Sequence, residues 1–304
     1  MKIAVLDDYQ DVVRRLRAFE LLADHDVTVF TDAVDVAELE PFEALVLIRE
    51  RTRLDADDLT RLPNLKLISQ TGRIGGHVDV DAAKARGIAV AEGIGSPVAP
   101  AELTWALVLA GARRLPQYVE HLRFGDWQQS GLGLGHVLRG RTLGIYGYGK
   151  IGSLVASYGR SFGMDVLAWT GERSRLAAKE AGDTLAGSQD ELFERSDVLS
   201  LHLRLTDETR GIVGPEHLAH MKSTALLVNT ARAGLIQLGA LVAALEAGRP
   251  GFAAVDVFDE EPMTDDPLLS LPNVVATPHI GYVEQDSYEL YFESAFRNVL
   301  DFRP

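Results

Sequence analysis

The chain has 304 residues, 46% of them hydrophobic, a formal net charge of -14 and no cysteine. That length allows two domains with filled cores, and the missing cysteines exclude disulfides, thiol nucleophiles and cysteine-based metal sites. The acidic balance argues against a nucleic-acid or anionic-membrane binder, whose surface needs a positive footprint. The longest apolar run, Leu103 to Ala112, stops at Arg113-Arg114, far short of the roughly 18 to 20 residues of a membrane span. Lys2 precedes only four apolar residues before Asp7-Asp8, so no signal-peptide hydrophobic region is expected and the cytoplasm is the expected compartment.

Short apolar strands alternate with helical segments from the start. Strands are predicted at Lys2 to Leu6, Asp26 to Phe30, Ala44 to Ile48, Leu65 to Ser69 and Ile88 to Ala91, with helices filling the gaps. Alternation of this kind implies a parallel sheet covered on both faces. Ser96-Pro97-Val98-Ala99-Pro100 then punctuates the chain, and a long apolar helix is predicted from Ala101 to about Leu115.

A second alternating set follows, with strands predicted at Leu143 to Tyr146, Asp165 to Trp169, Val198 to His202, Ala225 to Asn229, Ala253 to Val257 and Val274 to Ala276. The first of these breaks into Gly147-Tyr-Gly-Lys-Ile-Gly152 and continues as a helix over Leu154 to Phe162. A Gly-rich turn inside a β-α-β unit of about 30 residues fits a dinucleotide cradle. Gly147 permits the tight turn, Gly149 lets the backbone approach a pyrophosphate, and Gly152 lets the helix pack close to the strand. Lys150 and Ile151, inside the motif, are further cofactor-binding candidates, and the helix that follows would aim its free N-H groups and positive dipole end at the phosphates.

The last predicted helix, Glu284 to Phe302, lies too late for the second sheet and is expected to return to the first domain. The expected architecture is α/β with two doubly wound parallel-sheet domains. Residues 1–96 plus 283–304 form a flavodoxin-like substrate domain, and 97–282 form an inserted Rossmann NAD(P)-binding domain. Two crossings between the domains would leave a cleft able to hinge over a substrate.

Three further segments each follow a predicted strand, where open α/β sheets bind ligands: Asn229-Thr-Ala-Arg232, Asp256-Val-Phe-Asp-Glu-Glu261-Pro262 and Thr277-Pro-His279-Ile-Gly281. With the glycine turn, these four motifs in order resemble the D-isomer-specific 2-hydroxyacid dehydrogenases, the family that includes D-3-phosphoglycerate dehydrogenase, over nearly the whole length. The resemblance implies hydride transfer between nicotinamide and a small D-2-hydroxy acid or its 2-oxo acid. It assigns Arg232 to the substrate carboxylate and carbonyl, Glu261 to the acid before proline, and His279 to acid/base work. A guanidinium grips a carboxylate with two parallel N-H bonds, and a carboxylate beside an imidazole favours its protonated form.

The resemblance also places Asp256 near the nicotinamide amide, and Thr230, Ala231 and Gly281 against the cofactor largely through backbone. His202, at the end of a strand, is expected to line the cofactor crevice. In the first domain, Gln70-Thr-Gly-Arg-Ile-Gly-Gly-His-Val-Asp79 resembles the family's substrate loop, so Gly72 and Arg73 are either carboxylate contacts or part of an ordinary turn. Arg49, in Leu47-Ile-Arg-Glu-Arg-Thr-Arg53, either recognises a second anionic group or is solvated. No metal is expected.

One position departs from the family. The acid that grips the ribose 2'-hydroxyl of NAD is replaced by Thr170, with Arg173 and Arg175 close behind and Glu172 as another acid within reach. The cofactor is therefore NAD(H) or NADP(H), with the choice open. A homodimer is expected from the resemblance, through the helix after Ala101 and the segment Gln117 to Trp127. The alternative from another class is a dinucleotide-sensing interaction protein like the family's corepressor members. A formate dehydrogenase is disfavoured, because that branch pairs its histidine with glutamine where this chain has Glu261.

Overall fold

The computed structural model describes residues 1–263 and 265–303. The chain divides into two compact units, Met1–Ser96 with Val283–Pro304, and Pro97–Tyr282.

The first unit holds five parallel strands, β1 (Lys2–Val5), β2 (Asp26–Val29), β3 (Ala44–Leu47), β4 (Leu67–Gln70) and β5 (Ala89–Glu92), in the order β2-β1-β3-β4-β5. Every residue of β3 and β4 is buried, as expected of inner strands covered on both faces. Helices Ala56–Thr60 and Val80–Ala85 cover part of the sheet. Asp55 caps the first of them by accepting from the N-H groups of Asp57 and Asp58.

The gaps on either side of β2 contain no α-helix, contrary to the sequence reading. They hold 3-10 turns at Val13–Arg15, Arg17–Leu22 and Val36–Leu39. The reason lies in where backbone donors find partners. The buried Asp8 carboxylate accepts from Val12 and Val13 N-H at 2.9 Å each, and Glu289 accepts from Arg17 and Ala18 N-H at 3.0 and 3.2 Å. Leu16, between the two turns, is extended. Side-chain acceptors thus replace the i-4 carbonyls that a continuous helix would use.

Glu289 belongs to the closing helix, Gln285–Asp301, which packs on the 17–22 turn and on β3, β4 and β5. Its buried face carries Tyr288, Tyr291, Phe292, Ala295, Phe296 and Val299. Phe296 meets Phe19 edge-on at 6.2 Å, and Ser69 donates to the Ala295 carbonyl at 2.8 Å.

The second unit holds seven parallel strands: β6 (Thr142–Tyr146), β7 (Asp165–Trp169), β8 (Thr184–Leu185), β9 (Val198–Leu201), β10 (Leu226–Asn229), β11 (Phe252–Val255) and β12 (Val274–Ala276). Their order is β12-β11-β10-β9-β6-β7-β8. The two-residue β8 was not predicted, being too short to carry a pattern. β11 ends at Val255 rather than Val257, and the chain then bends where Phe258 N-H turns to the Glu261 carboxylate. One core, with Leu143, Ile145, Val228 and Ala254, covers one face of the sheet, and a second, with Tyr146, Leu199, Leu227 and Val255, covers the other.

The long apolar helix spans Val98–Arg113 and lies against β10, β11, β12 and helix Lys150–Ser161. It starts three residues earlier than predicted. Pro100 fits in its first turn because the N-H that proline lacks would have no intrahelical acceptor there. Arg114, at φ 56°, breaks it from a second helix, Leu115–Arg123. Among the described residues no helix is long and apolar enough to cross a membrane.

Glu289 gives a test of the turn-for-helix exchange. Burial raises its carboxyl, but the Arg17 and Ala18 N-H groups outweigh this and hold it below the ordinary carboxylate range. Its contribution is therefore complete above that range and fades as pH falls through the lowered value. Glu289→Ala should cost about 1–2 kcal/mol in urea unfolding at pH 7, and the gap to the native chain should narrow on acidification.

Candidate functional site

The glycine turn sits where the strand order of the second unit reverses. β6 pairs with β7 on one side and β9 on the other, with Tyr146 opposite both Trp169 and Leu201, so the turn after β6 opens at the C-terminal switch point of the sheet. Each glycine has its own reason. Gly147 has φ +97° and its missing Cβ would lie 2.9 Å from the His202 carbonyl group. A Cβ on Gly152 would stand 2.2 Å from the Gly147 carbonyl oxygen, a backbone atom with nowhere to go. A Cβ on Gly149 would meet nothing within 4 Å. Two of the glycines are thus demanded by the protein itself, and the third leaves open space beside the helix N-terminus, as a pyrophosphate needs. The residues present fit a dinucleotide. Gly147, Gly149, Lys150, Ile151 and Gly152 lie together there, with Lys150 exposed.

Residues to which the sequence reading gave no role hold this turn. The Tyr148 hydroxyl donates to Asp183 at 2.6 Å, and Arg160 on the following helix donates to both Asp183 oxygens at 2.6 Å. Asp183 is buried, so the three groups form an enclosed, charge-assisted network. Thr170 also belongs to the turn: its hydroxyl oxygen accepts from Tyr148 N-H at 3.1 Å. Tyr148 lies inside the quoted motif, but nothing in the spacing of Arg160 and Asp183 announces that they meet it.

His202 follows β9 and packs its Cβ against Gly152. Burial pushes its imidazole down to about 4, so it is neutral at pH 7, with Nε2 within 2.9 Å of the Ser200 hydroxyl. It lines the glycine turn and has no charge to offer.

After β10, Asn229 organises the next turn. Its side chain accepts from Ala231 N-H at 3.1 Å and donates to the Arg232 carbonyl at 2.9 Å, an Asx-type turn that an asparagine at a strand end could have signalled. The Thr230 hydroxyl lies 2.6 Å from that of Thr104. Arg232 is half-buried and donates to the Ala231 carbonyl at 2.7 Å.

Asp256, Ala231 and Gly281 take part in hydrogen bonds within the unit. Asp256 is fully buried, and its carboxylate accepts from the Thr277 hydroxyl at 2.6 Å, Ile280 N-H at 2.8 Å and Gly281 N-H at 2.9 Å. In this structure it anchors the 277–281 loop and presents no open face to a nicotinamide. The Ala231 and Gly281 N-H groups are likewise committed, to Asn229 and Asp256.

That anchored loop carries His279, in the left-handed region at φ 51°, with its N-H donating to the Thr277 carbonyl at 3.0 Å. His279 Nδ1 lies 2.5 Å from Glu261 Oε2, and Glu261 Oε1 accepts from Phe258 N-H at 2.9 Å. Burial raises the Glu261 carboxyl, but the bond to His279, the imidazole's charge and that of Arg232 more than offset it, holding the group below the ordinary range. Glu261 therefore stays ionised at neutral pH and holds the imidazole ring through Nδ1. Arg232 and His279, separated in sequence, both act on Glu261 in space.

In the first unit, Arg49 has φ 56°, and its guanidinium lies over Gly72, where a Cβ would come within 2.2 Å, and over the Tyr291 ring at 5.7 Å. Arg49 and Gly72 are thus brought together, with Gly72 covered rather than open; Arg73 is exposed. Among the described residues there is no cluster of three or more histidines and carboxylates able to hold a metal.

Residues 105–281 match the family model described as D-isomer specific 2-hydroxyacid dehydrogenase, NAD binding domain. The chain belongs to that family. It is 41% identical over 258 residues to a glyoxylate reductase of Aeropyrum pernix, covering 82% of this chain and 77% of that one. A D-3-phosphoglycerate dehydrogenase of Methanocaldococcus jannaschii is 36% identical over 283 residues, 92% of this chain and 53% of its own length; the chain spans about half of that relative. The crystal structure of a phosphoglycerate oxidoreductase from Vibrio cholerae matches with a TM-score of 0.97 and 56% identity, covering 99% of this chain and 98% of that one. The family places an NAD-binding function on the unit that contains the glycine turn.

The glycines separate two roles by experiment. Gly149→Ala should leave the melting temperature unchanged and weaken NADH binding at least about tenfold, because its methyl fills only the ligand's space. Gly152→Ala should lower both, because its methyl meets the Gly147 carbonyl. Thermal unfolding and NADH fluorescence titration measure the two effects.

Proposed function

We propose that this protein interconverts a small 2-oxo acid and its D-2-hydroxy acid, with Arg232 binding the acid and the Glu261–His279 pair handling the proton. The observation that carries this reading is the 2.5 Å contact between His279 Nδ1 and an ionised Glu261, with Arg232 close enough to act on the same carboxylate. A nicotinamide bound by the second unit supplies or accepts the hydride. The chain's own residues do the rest. Arg232 aligns the carboxylate and carbonyl of a 2-oxo acid through parallel N-H bonds. His279 donates a proton from Nε2 to the carbonyl oxygen during reduction and takes it back during oxidation, while Glu261 holds the ring through Nδ1. A glyoxylate reductase and a phosphoglycerate dehydrogenase among the relatives support a short 2-oxo acid as the substrate class.

In the first unit, Gly72 and Arg73 are proposed as carboxylate contacts through backbone N-H, and Arg49 as a group for a second anion. The contact of Asp256 with a nicotinamide amide would require its loop to open, and its anchoring role is the better supported one. The protein is proposed to work in the cytoplasm as a homodimer. Support for the dimer comes from Leu115, Leu122, Phe124, Trp127, Leu134 and Val137, which are exposed within one stretch of the second unit, Phe124 at 79% and Trp127 at 74%. A second copy of the same chain would cover them.

Purified protein should oxidise a reduced nicotinamide cofactor with glyoxylate, pyruvate or another 2-oxo acid. His279→Ala should lower kcat by about 10²- to 10⁴-fold, and Arg232→Ala should raise KM as well as lower kcat. Native rates in either variant would overturn the mechanism. Glu261→Gln, which replaces the charged acceptor that holds His279 Nδ1, should lower kcat more than it changes KM, read from steady-state rates with a 2-oxo acid at pH 7.

A further inference from the structure

The strand after the glycine turn ends without an acid, and the structure shows what stands there instead. Gly147 N-H donates to the Trp169 carbonyl at 2.9 Å and Tyr148 N-H to the Thr170 hydroxyl at 3.1 Å, so the end of β7 is stitched to the turn. Residue 170 is therefore the side chain beside the cradle on the β7 edge, where the adenosine ribose of a dinucleotide is recognised. Its hydroxyl oxygen is used by the turn, and its proton remains available to donate.

Residues 172–180 follow as a helix whose Gly171 N-cap offers no side-chain acceptor, and a Cβ on Gly171 would meet nothing within 4 Å. The first turn of that helix carries Arg173, exposed, and Arg175. The one nearby acid, Glu172, extends into solvent with its side chain 93% exposed, and its carboxylate faces Arg175 at 3.9 Å. A glutamate so directed is poorly placed to grip a ribose 2'-hydroxyl, and a threonine in the place of the family acid repels no phosphate. Two guanidinium groups against one solvated carboxylate leave this edge positive on an otherwise acidic chain.

Resting on the reading of this unit as a dinucleotide-binding domain, we infer that its ribose edge recognises a 2'-phosphate and selects NADP(H) over NAD(H), through Thr170, Arg173 and Arg175. Selection arises both from the guanidinium groups and from the lost repulsion at position 170.

The test is equilibrium binding of NADPH and NADH to the full chain by fluorescence titration, which needs no turnover. NADPH should bind at least about tenfold tighter, its affinity should fall more steeply with salt than that of NADH, and 2',5'-ADP should displace it. The double variant Arg173→Ala/Arg175→Ala should erase the NADPH advantage and leave NADH binding unchanged, and Thr170→Asp should favour NADH. Equal or tighter NADH binding by the native protein overturns the inference while leaving the dehydrogenase reading intact. So does equal weakening of both nucleotides in the arginine variant, which does not depend on how Thr170→Asp folds. Failure of both nucleotides to bind overturns the dinucleotide reading beneath it.

Discussion

The Gly147 carbonyl oxygen lies 2.2 Å from where a Cβ on residue 152 would be. That distance lets helix Lys150–Ser161 descend onto β6, and the rest of the second unit is arranged around the contact. With the helix seated, Gly159 also sits where a Cβ would come within 2.4 Å of Leu143, and the packing of helix on strand continues along its length. The turn left behind faces the switch point of the sheet, bounded by His202 on one side and Thr170 on the other. The Tyr148–Asp183–Arg160 network locks the turn from beneath, so an anion meets N-H groups already held in place.

The end of the unit that carries His279 obeys a comparable constraint. Asp256 is a buried carboxylate whose burial raises it, and the hydrogen bonds from Thr277 and the backbone of Ile280, with the charge of His279 and the bond from Gly281, pull against that cost. Those same donors come from the loop that presents His279. Satisfying one buried acid and aiming one histidine are thus a single structural event. Glu261 completes the aim from the loop after β11, with one oxygen on backbone and the other on the imidazole.

Much of this was legible in the residues. Buried parallel strands read as unbroken apolar runs, and most strand predictions lie within one or two residues of the observed ends, because each strand is closed by a polar or glycine-rich turn. The glycine motif, Arg232, Glu261 and His279 were visible because each follows such a strand. What escaped was set by partners far away in sequence. The gap between β1 and β2 was expected to hold a helix, yet Asp8 accepts from Val12 and Val13 and Glu289 from Arg17 and Ala18, and the segment forms 3-10 turns. The bonds of Asp256 to the 277–281 loop and the meeting of Asp183 with Arg160 are contacts that no local pattern encodes.

The sequence by itself determined the two alternating strand sets and the position of the glycine turn, which are local and depend on side-chain chemistry and on periodicities of two or 3.6 residues. The proposed roles of Arg232, Glu261 and His279 and the departure at Thr170 were legible in it through motifs that resemble the family's. Only the tertiary structure decided which nitrogen of His279 is held by Glu261, which backbone donors are already used, that Glu172 leans toward Arg175 and solvent, and that Thr170 is tied to Tyr148. Hydrogen bonds select partners by distance and angle within a few tenths of an ångström, and that geometry exists only once distant segments have packed.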